Sequence, residues 1–304
     1  MKCAFIVSPS YSGSTLLSIL LAHHPDLVTL GEFLDNQARR FREGEGDFCS
    51  CGAKLDACPY MSDLSGRIHA KGIPFTVDYP DTAFLCGDGL PGKVLRAYVR
   101  GPLFEAARRL AIPLLPLARS TVARVVDRNT KVIASILEKE NAKVYLDSAK
   151  NNNRVLYFHR YAPRMEVKVI WLIRDGRGVV TSIRRHANCD TATAIDKWVT
   201  TQTSVIRTVK YLPRANVLTM RYEDLCTRPG DALAEACRFL GLDPAQLPES
   251  YSAEGLHLTG NNMRLKGLGE IRIDERWKSA LDDGDLALFA ARAGALNREL
   301  GYGE

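Results

Sequence analysis

The N-terminal segment of the chain predicts a strand, a tight turn and a helix in immediate succession. The apolar run at residues 3–7 suits a buried strand, and the apolar density of residues 15–24 suits a helix that Pro25 ends. The small residues of positions 8–15 place the turn directly at the N-terminus of that helix. Free backbone N–H groups and the positive end of the helix dipole converge at such a point, so the segment predicts an anion-binding site.

This turn is similar to the Walker A phosphate loop but does not match it. The pattern G-x-x-x-x-G-K-[ST] needs a lysine that reaches the β- and γ-phosphates of a nucleoside triphosphate. Ser14 stands in place of that lysine and Ser8 in place of the first glycine. A P-loop nucleotide kinase or another NTP-binding protein, with Asp147 or Asp175 as the Mg²⁺ ligand, is therefore the second interpretation. A serine-rich helix N-cap without a ligand is the simplest alternative.

Strand candidates alternate with helix candidates along the rest of the chain. Further strands are expected at residues 27–33, 143–147, 167–173 and 216–221, and helices through Val179–Ile183 and at residues 231–240. This alternation predicts an α/β protein, a three-layer, P-loop-like fold with a central parallel sheet and ligands outside the carboxyl ends of its strands. We expect one domain over residues 1–304, in which about residues 35–140 form an insertion or lid of loops and helices.

Positive charge is concentrated in one part of the chain. Residues 150–185 hold nine lysines and arginines and two acidic residues. The net charge of this window is therefore +7, which exceeds the net charge of +6 for the whole sequence. A small anionic ligand is one explanation, and a noncatalytic polyanion-binding module is another. Few aromatic residues are interleaved there, so we expect no nucleic-acid partner. Since no apolar run approaches the length of a membrane span, no secretory signal is evident and eight cysteines are scattered, we expect a cytoplasmic protein.

A second polar cluster follows the most apolar strand candidate. Arg174 comes directly after residues 167–173, and Ser182 lies about two turns into the following helix. An arginine fork and a hydroxyl at a strand end suit a second phosphate group. The alternative is an exposed basic start of a helix.

In order and spacing, these pieces resemble the sulfotransferase superfamily that uses 3′-phosphoadenosine 5′-phosphosulfate (PAPS). The matching motifs are S-x-S-G-S-T-L-L, R-D-x-R-x-x-x-x-S and R-Y-E-D-L-x-x-x-P…F-L-G-L, with H-P-D-L-V-T-L-G-E at residues 24–32 and G-N-N-M-R…W-K at residues 260–278. They frame nearly the whole chain, whereas residues 60–140 match no motif of the family.

The resemblance implies PAPS as co-substrate, no metal, and roles for particular residues. The first loop would hold the 5′-phosphosulfate through Ser10, Ser12, Gly13, Ser14 and Thr15. The 3′-phosphate would lie on Arg174 and Ser182, under a late basic loop with Arg264 and Lys266. Tyr222 would line the adenine pocket.

The catalytic residues implied by the resemblance are Glu32, Lys150 and Tyr11. Many members carry Lys or Arg where this chain has Tyr11, so Lys150 is expected to supply the missing charge. Glu32 matches the glutamate that accepts the proton of the acceptor hydroxyl in tyrosylprotein-type members, and His257 is the weaker alternative. The acceptor would be a small molecule with a hydroxyl group. Its hydrophobic or amphiphilic character is expected from the apolar residues Phe84, Tyr98, Phe104 and 110–118.

Three cysteines lie close together in the sequence CSCGAKLDACPYM. The spacing of Cys49, Cys51 and Cys58 is C-x-C-x₆-C. A structural zinc site, by contrast, requires four ligands and commonly uses C-x₂-C pairs. Cys86 or His69 would complete a zinc site, and a disulfide between two of the three is a further alternative. Reduced, packed thiols are the expected state.

Overall fold

The computed structural model describes residues 1–35, 48–77, 80–265 and 267–303, and it contains a five-stranded parallel sheet. The spatial order of the strands is β2-β3-β1-β4-β5. Their bounds are β1 Lys2–Val7, β2 Leu27–Thr29, β3 Val144–Asp147, β4 Glu166–Ile173 and β5 Val217–Arg221. All four pairings are parallel, so the predicted α/β class with a central parallel sheet is confirmed.

Helices cover both faces of the sheet. Their bounds are α1 Ser14–Leu21, α2 Pro59–Ala70, α3 Leu90–Arg96, α4 Pro102–Leu114, α5 Pro116–Glu140, α6 Asn152–Tyr161, α7 Gly176–Ala187, α8 Thr191–Lys210, α9 Tyr222–Thr227, α10 Pro229–Leu240, α11 Trp277–Ala280 and α12 Asp283–Glu299. None of the helices in the described ranges is both long enough and apolar enough to cross a bilayer.

The alternation of side chains in β1 explains the three layers. Cys3, Phe5 and Val7 are buried in a core that also contains residues of α5 and α6. Ala4 and Ile6 are buried on the opposite face, in a core with residues of α1 and α10. Because β1 is central and apolar on both faces, helices must cover it on both sides.

The second strand is shorter than the predicted 27–33. Pairing with β3 ends at Thr29, opposite Leu146. Gly31 then turns the chain at a φ of 69°, and a Cβ there would lie 2.2 Å from the carbonyl oxygen of Thr259. This close approach carries residues 30–33 away from the sheet and places Glu32 at its edge.

The region of about residues 35–140, expected to be an insertion of loops and helices, is largely helical where the structure describes it. Besides loops it contains α2 to α5, and α5 alone spans 25 residues. Pro116 occupies the first position of α5, where proline is favoured, and Pro113 is accommodated near the end of α4. Buried Arg154 ties the insertion to the sheet, because its guanidinium contacts Asp147 at the end of β3 and the carbonyl of Thr82.

Candidate active site

The carboxyl ends of all five strands contribute side chains to one cavity of about 740 Å³. This volume is in the range of small-molecule sites. Ten of the thirteen predicted site residues line it: Ser10, Tyr11, Gly13, Ser14, Thr15, Glu32, Lys150, Arg174, Ser182 and Tyr222.

The turn after β1 presents the start of α1 to the cavity. Leu17 donates the first intrahelical hydrogen bond, to the carbonyl of Gly13, so the N–H groups of residues 14–16 have no acceptor within the helix. Gly13 has a φ of 93°, and a Cβ on it would lie 2.5 Å from the ring of Tyr222. The glycine therefore serves both the turn and the close contact with Tyr222.

Alanine in place of Gly13 is expected to weaken binding of adenosine 3′,5′-bisphosphate about tenfold or more and to lower the melting temperature. The left-handed backbone costs alanine about 1–2 kcal/mol, and the new methyl group must displace the Tyr222 ring. Calorimetric titration and thermal unfolding measure both effects. Gly66→Ala in α2 is the matched control, since a Cβ there meets nothing within 4 Å. Equal behaviour of the two variants would contradict this role of Gly13.

Arg174 connects the end of β4 to the first loop. Its side chain is almost fully buried, and Nη1 donates to the carbonyl of Tyr11 over 2.7 Å. The guanidinium carbon lies 4.4 Å from the centre of the Tyr222 ring. Ser182, on α7, faces the same cavity and donates to the carbonyl of Gly178. The two anion sites predicted from separate motifs thus adjoin.

A segment at residues 268–276 closes one side of the cavity. Within it, the carboxylate of Asp274 lies 3.2 Å from Nη2 of Arg174 and 2.6 Å from Nη2 of Arg276. Hydrogen bonds from Arg276 hold the pKa of Asp274 well below its usual range, against partial burial and with help from the charge of Arg174. An anionic ligand must share Arg174 with this carboxylate or displace it.

Glu32 and Lys150 form an ion pair inside the cavity, with both side chains mostly buried. The ammonium of Lys150 also lies 3.4 Å from Oγ of Ser14, so one cation contacts the end of β2 and the start of α1. The backbone N–H of Glu32 donates to the carbonyl of Thr259, and a Cβ on Gly260 would lie 3.0 Å from the Glu32 carboxyl carbon. This packing fixes where the carboxylate stands.

Tyr11 has a neighbour that is not among the predicted site residues. Its ring stacks on that of His186, with centres 4.9 Å apart and planes at 7°. His186 lines the cavity, one helical turn after Ser182 on α7. The i, i+4 spacing of Ser182 and His186 was the signal that could have identified it.

Two of the thirteen predicted residues, Ser12 and Arg264, do not line the cavity, and a third cannot be placed; His257, the alternative proton acceptor, also lies outside the cavity. Ser12, although part of the first loop, is fully buried. Arg264, expected over the 3′-phosphate, is also buried and donates to the carbonyls of Gly260 and Phe48. His257 lies among cysteines, with Nδ1 close to two sulfur atoms. Lys266 is outside the described residues.

Asp35, three residues after Glu32, is expected to make stability depend on pH. Burial raises its pKa to about 6, although Arg154 and a hydrogen bond from Asn151 oppose the shift, and the charges of Asp147 and Glu32 add to it. The pKa of an aspartate in the unfolded chain is about 3.9. The folded state therefore binds more protons between about pH 4 and 6, and the free energy of unfolding falls as the pH rises through this window.

Denaturant unfolding of the wild type and of Asp35→Asn from pH 4 to 7 measures this effect. The free energy of unfolding of the wild type should fall by up to about 1.4 kcal/mol per pH unit because of this group. The difference in free energy of unfolding between the wild type and the variant should change with pH at that slope. Parallel curves would mean that Asp35 titrates normally.

The chain matches known proteins over most of its length. The family model described as "Sulfotransferase domain" matches residues 2–268. The solved sulfotransferase domain from the Synechococcus PCC 7002 olefin synthase is 19% identical, with a TM-score of 0.48 and coverage of 100% of this chain and 96% of that one. The sulfotransferase domain from the curacin biosynthetic pathway is 18% identical, with a TM-score of 0.47 and coverage of 95% and 96%. A sulfotransferase from Alicyclobacillus acidocaldarius is 14% identical, with a TM-score of 0.39 and coverage of 97% and 95%. No curated protein sequence matches the chain.

Proposed function

The chain belongs to the sulfotransferase domain family, and from that premise we propose that it moves the sulfuryl group of PAPS to the hydroxyl group of a small molecule. The observation that carries the proposal is the position of Lys150, whose ammonium contacts Ser14 of the first loop and the carboxylate of Glu32. The leaving group of the donor and the hydroxyl of the acceptor would meet at this cation.

The donor would bind with its two anionic ends on the two adjoining sites. The N–H groups of residues 14–16 and the hydroxyls of Ser14 and Thr15 suit the 5′-phosphosulfate. The fork of Arg174, together with Ser182, suits the 3′-phosphate. The hydrogen bond from Arg174 to the Tyr11 carbonyl supports the proposal of a single ligand across both sites, because Arg174 and the first loop line the same cavity. Tyr222 lies between them and would contact the adenosine.

Transfer would proceed by in-line displacement at sulfur. The acceptor oxygen forms a bond to sulfur while the bond from sulfur to the 5′-phosphate oxygen breaks, and adenosine 3′,5′-bisphosphate leaves. Glu32 accepts the proton of the acceptor hydroxyl. Lys150 and the first-turn N–H groups of α1 stabilise the negative charge that grows on the leaving oxygen. Lys150 thus supplies the charge that Tyr11, at the loop position where many relatives have a cation, does not.

The acceptor would be a hydroxyl compound with an apolar part. Apolar residues of the cavity come from the start of α1 (Leu16), from the turn before the closing segment (Met263) and from the closing segment itself (Leu268 and Ile271). The residues from which the sequence suggested this character lie elsewhere: Phe84 is in the core, and Tyr98 and Phe104 line a separate shallow cavity. A screen of hydroxyl compounds with sulfur-labelled PAPS would identify the acceptor.

Ligand-induced stabilisation tests the nucleotide. Adenosine 3′,5′-bisphosphate at about 100 times its Kd should add about 2.7 kcal/mol to the free energy of unfolding, whereas ATP with Mg²⁺ should add little, because Ser14 replaces the Walker lysine. Stabilisation by ATP with Mg²⁺ and not by the bisphosphate would overturn the proposal.

A further inference from the structure

Three cysteines and a histidine meet outside the cavity. The sulfur atoms of Cys49, Cys51 and Cys58 and Nδ1 of His257 all lie within 4.8 Å of one another. Cys51 and Cys58 have their sulfurs 3.7 Å apart, and Nδ1 of His257 lies 3.5 Å from the sulfur of Cys49 and 3.4 Å from that of Cys58. Zn–S bonds of about 2.3 Å and Zn–N bonds of about 2.0–2.1 Å set tetrahedral edges of about 3.8 Å between sulfurs and about 3.5 Å from sulfur to nitrogen. The one sulfur–sulfur and the two sulfur–nitrogen distances match those edges.

The backbone around the cluster is arranged to present these atoms. Cys49 and Cys51 lie on a tight turn, closed by a hydrogen bond from the N–H of Gly52 to the carbonyl of Cys49. Cys58 is the N-cap residue of α2, so its position is set by the start of that helix. The His257 ring stacks on Tyr60 with centres 4.5 Å apart, which fixes its orientation.

A set of hydrogen bonds brings His257 to the cysteines across 199 residues of sequence. Ser50 donates through Oγ to the carbonyl of Leu256 and through its N–H to the carbonyl of Leu258. Leu258 donates in return to Oγ of Ser50. His257 is therefore held between two residues that are both tied to the middle of the Cys49–Cys51 turn.

We propose that this cluster binds one Zn²⁺ as a structural Cys₃His site. Three thiolates and one imidazole nitrogen are a standard zinc donor set, and four protein ligands leave no position for a substrate. Cys49 and Cys58 are fully buried, whereas Cys51 is exposed and offers the ion a path of entry. From the sequence, Cys86 or His69 was the expected fourth ligand. The structure brings His257 to the cluster instead, while Nδ1 of His69 lies 3.0 Å from the carbonyl of Phe75.

The alternatives fit the geometry less well. A disulfide needs sulfurs about 2.05 Å apart, and all three cysteines are free thiols here. Packed apolar thiols do not explain why an exposed cysteine and a ring nitrogen converge on two buried sulfurs.

The ion would join the insertion to the segment behind Glu32. Two residues after His257, Thr259 donates its N–H to the carbonyl of Leu30 and accepts from the N–H of Glu32. Zinc would thus act on Glu32 through this segment, as a positioning device. This consequence rests on the proposed function, whereas binding of the metal does not.

Metal content tests the site directly. Purified wild-type protein, dialysed to remove unbound metal ions, should contain about one zinc ion per chain by elemental mass spectrometry. The Cys51→Ser variant should contain much less zinc. Cys51 is exposed, so this variant should fold. Cys86→Ser, a cysteine outside the cluster, is the matched control and should keep the metal. Replacement of zinc by Co²⁺ should add the absorption bands of a tetrahedral thiolate site.

Three results would rule out zinc binding at this cluster. The first is that the wild-type protein takes up no zinc from a buffered excess. The second is that Cys51→Ser and wild type contain equal amounts of zinc. The third is that cysteines of the cluster form a disulfide in freshly purified protein. Removal of the zinc by a chelator should lower the melting temperature and its return should restore it, and an unchanged melting temperature would contradict the structural role. Turnover is a separate readout, so its failure alone would count against the proposed function.

Discussion

Glutamine in place of Glu32 is expected to lower kcat by about 10²–10⁴-fold and to leave the affinity for adenosine 3′,5′-bisphosphate within about threefold of wild type. Glutamine has nearly the shape of glutamate but cannot take the proton of the acceptor hydroxyl. The side chain would still fill the space beside Gly260 and could still contact Lys150, so the nucleotide site should keep its form. Steady-state rates with labelled PAPS and calorimetric titration with the bisphosphate separate the two effects.

Glu249→Gln is the matched control for this variant, because Glu249 is exposed and outside the cavity. It should behave as wild type in both measurements. Wild-type turnover in Glu32→Gln would remove Glu32 as the proton acceptor. A parallel loss of bisphosphate affinity would instead assign Glu32 to donor binding.

Alanine in place of Arg174 should weaken binding of adenosine 3′,5′-bisphosphate by about 10- to 150-fold. Hydrogen bonds to a charged group contribute about 1.5–3 kcal/mol, and each 1.4 kcal/mol is a factor of ten in Kd. The fold should survive, because Asp274 keeps its hydrogen bonds from Arg276 when Arg174 is removed. Adenosine 5′-monophosphate, which lacks the 3′-phosphate, should bind the variant and the wild type almost equally.

Two further variants sharpen this test. Arg174→Lys keeps the charge but loses the fork, so its affinity should be intermediate. Arg185→Ala removes an exposed arginine near the end of the same helix, α7. Its affinity for the bisphosphate should equal that of the wild type, because salt screens the charge of an exposed arginine. Equal losses for the bisphosphate and the monophosphate would show that Arg174 does not read the 3′-phosphate.

The strand ends explain why much of the site could be predicted from the sequence. The apolar run of β4 identifies a central parallel strand, and the residue after such a strand lies at the ligand edge of the sheet. Arg174, Glu32 and Lys150 all follow strands in this way, and the structure brings them into one cavity. The family match confirms the resemblance on which their roles were predicted.

Other parts depend on contacts that no local pattern encodes. The residue type alone does not determine whether a basic side chain near a motif faces the ligand or the core. Arg264 is an example, because its side chain points inward and donates to two backbone carbonyls. The closing segment has no hydrophobic period, so nothing signalled that Asp274 would reach Arg174. His257 joins Cys58 only because the insertion folds back on a distant loop.

A crystal structure of the protein with adenosine 3′,5′-bisphosphate would test the central claim most directly. One nucleotide should span the cavity, with its 5′-phosphate on the N–H groups at the start of α1 and its 3′-phosphate within hydrogen-bonding distance of Arg174 and Ser182. A nucleotide bound outside the cavity, or one whose 3′-phosphate lies away from Arg174, would contradict the account.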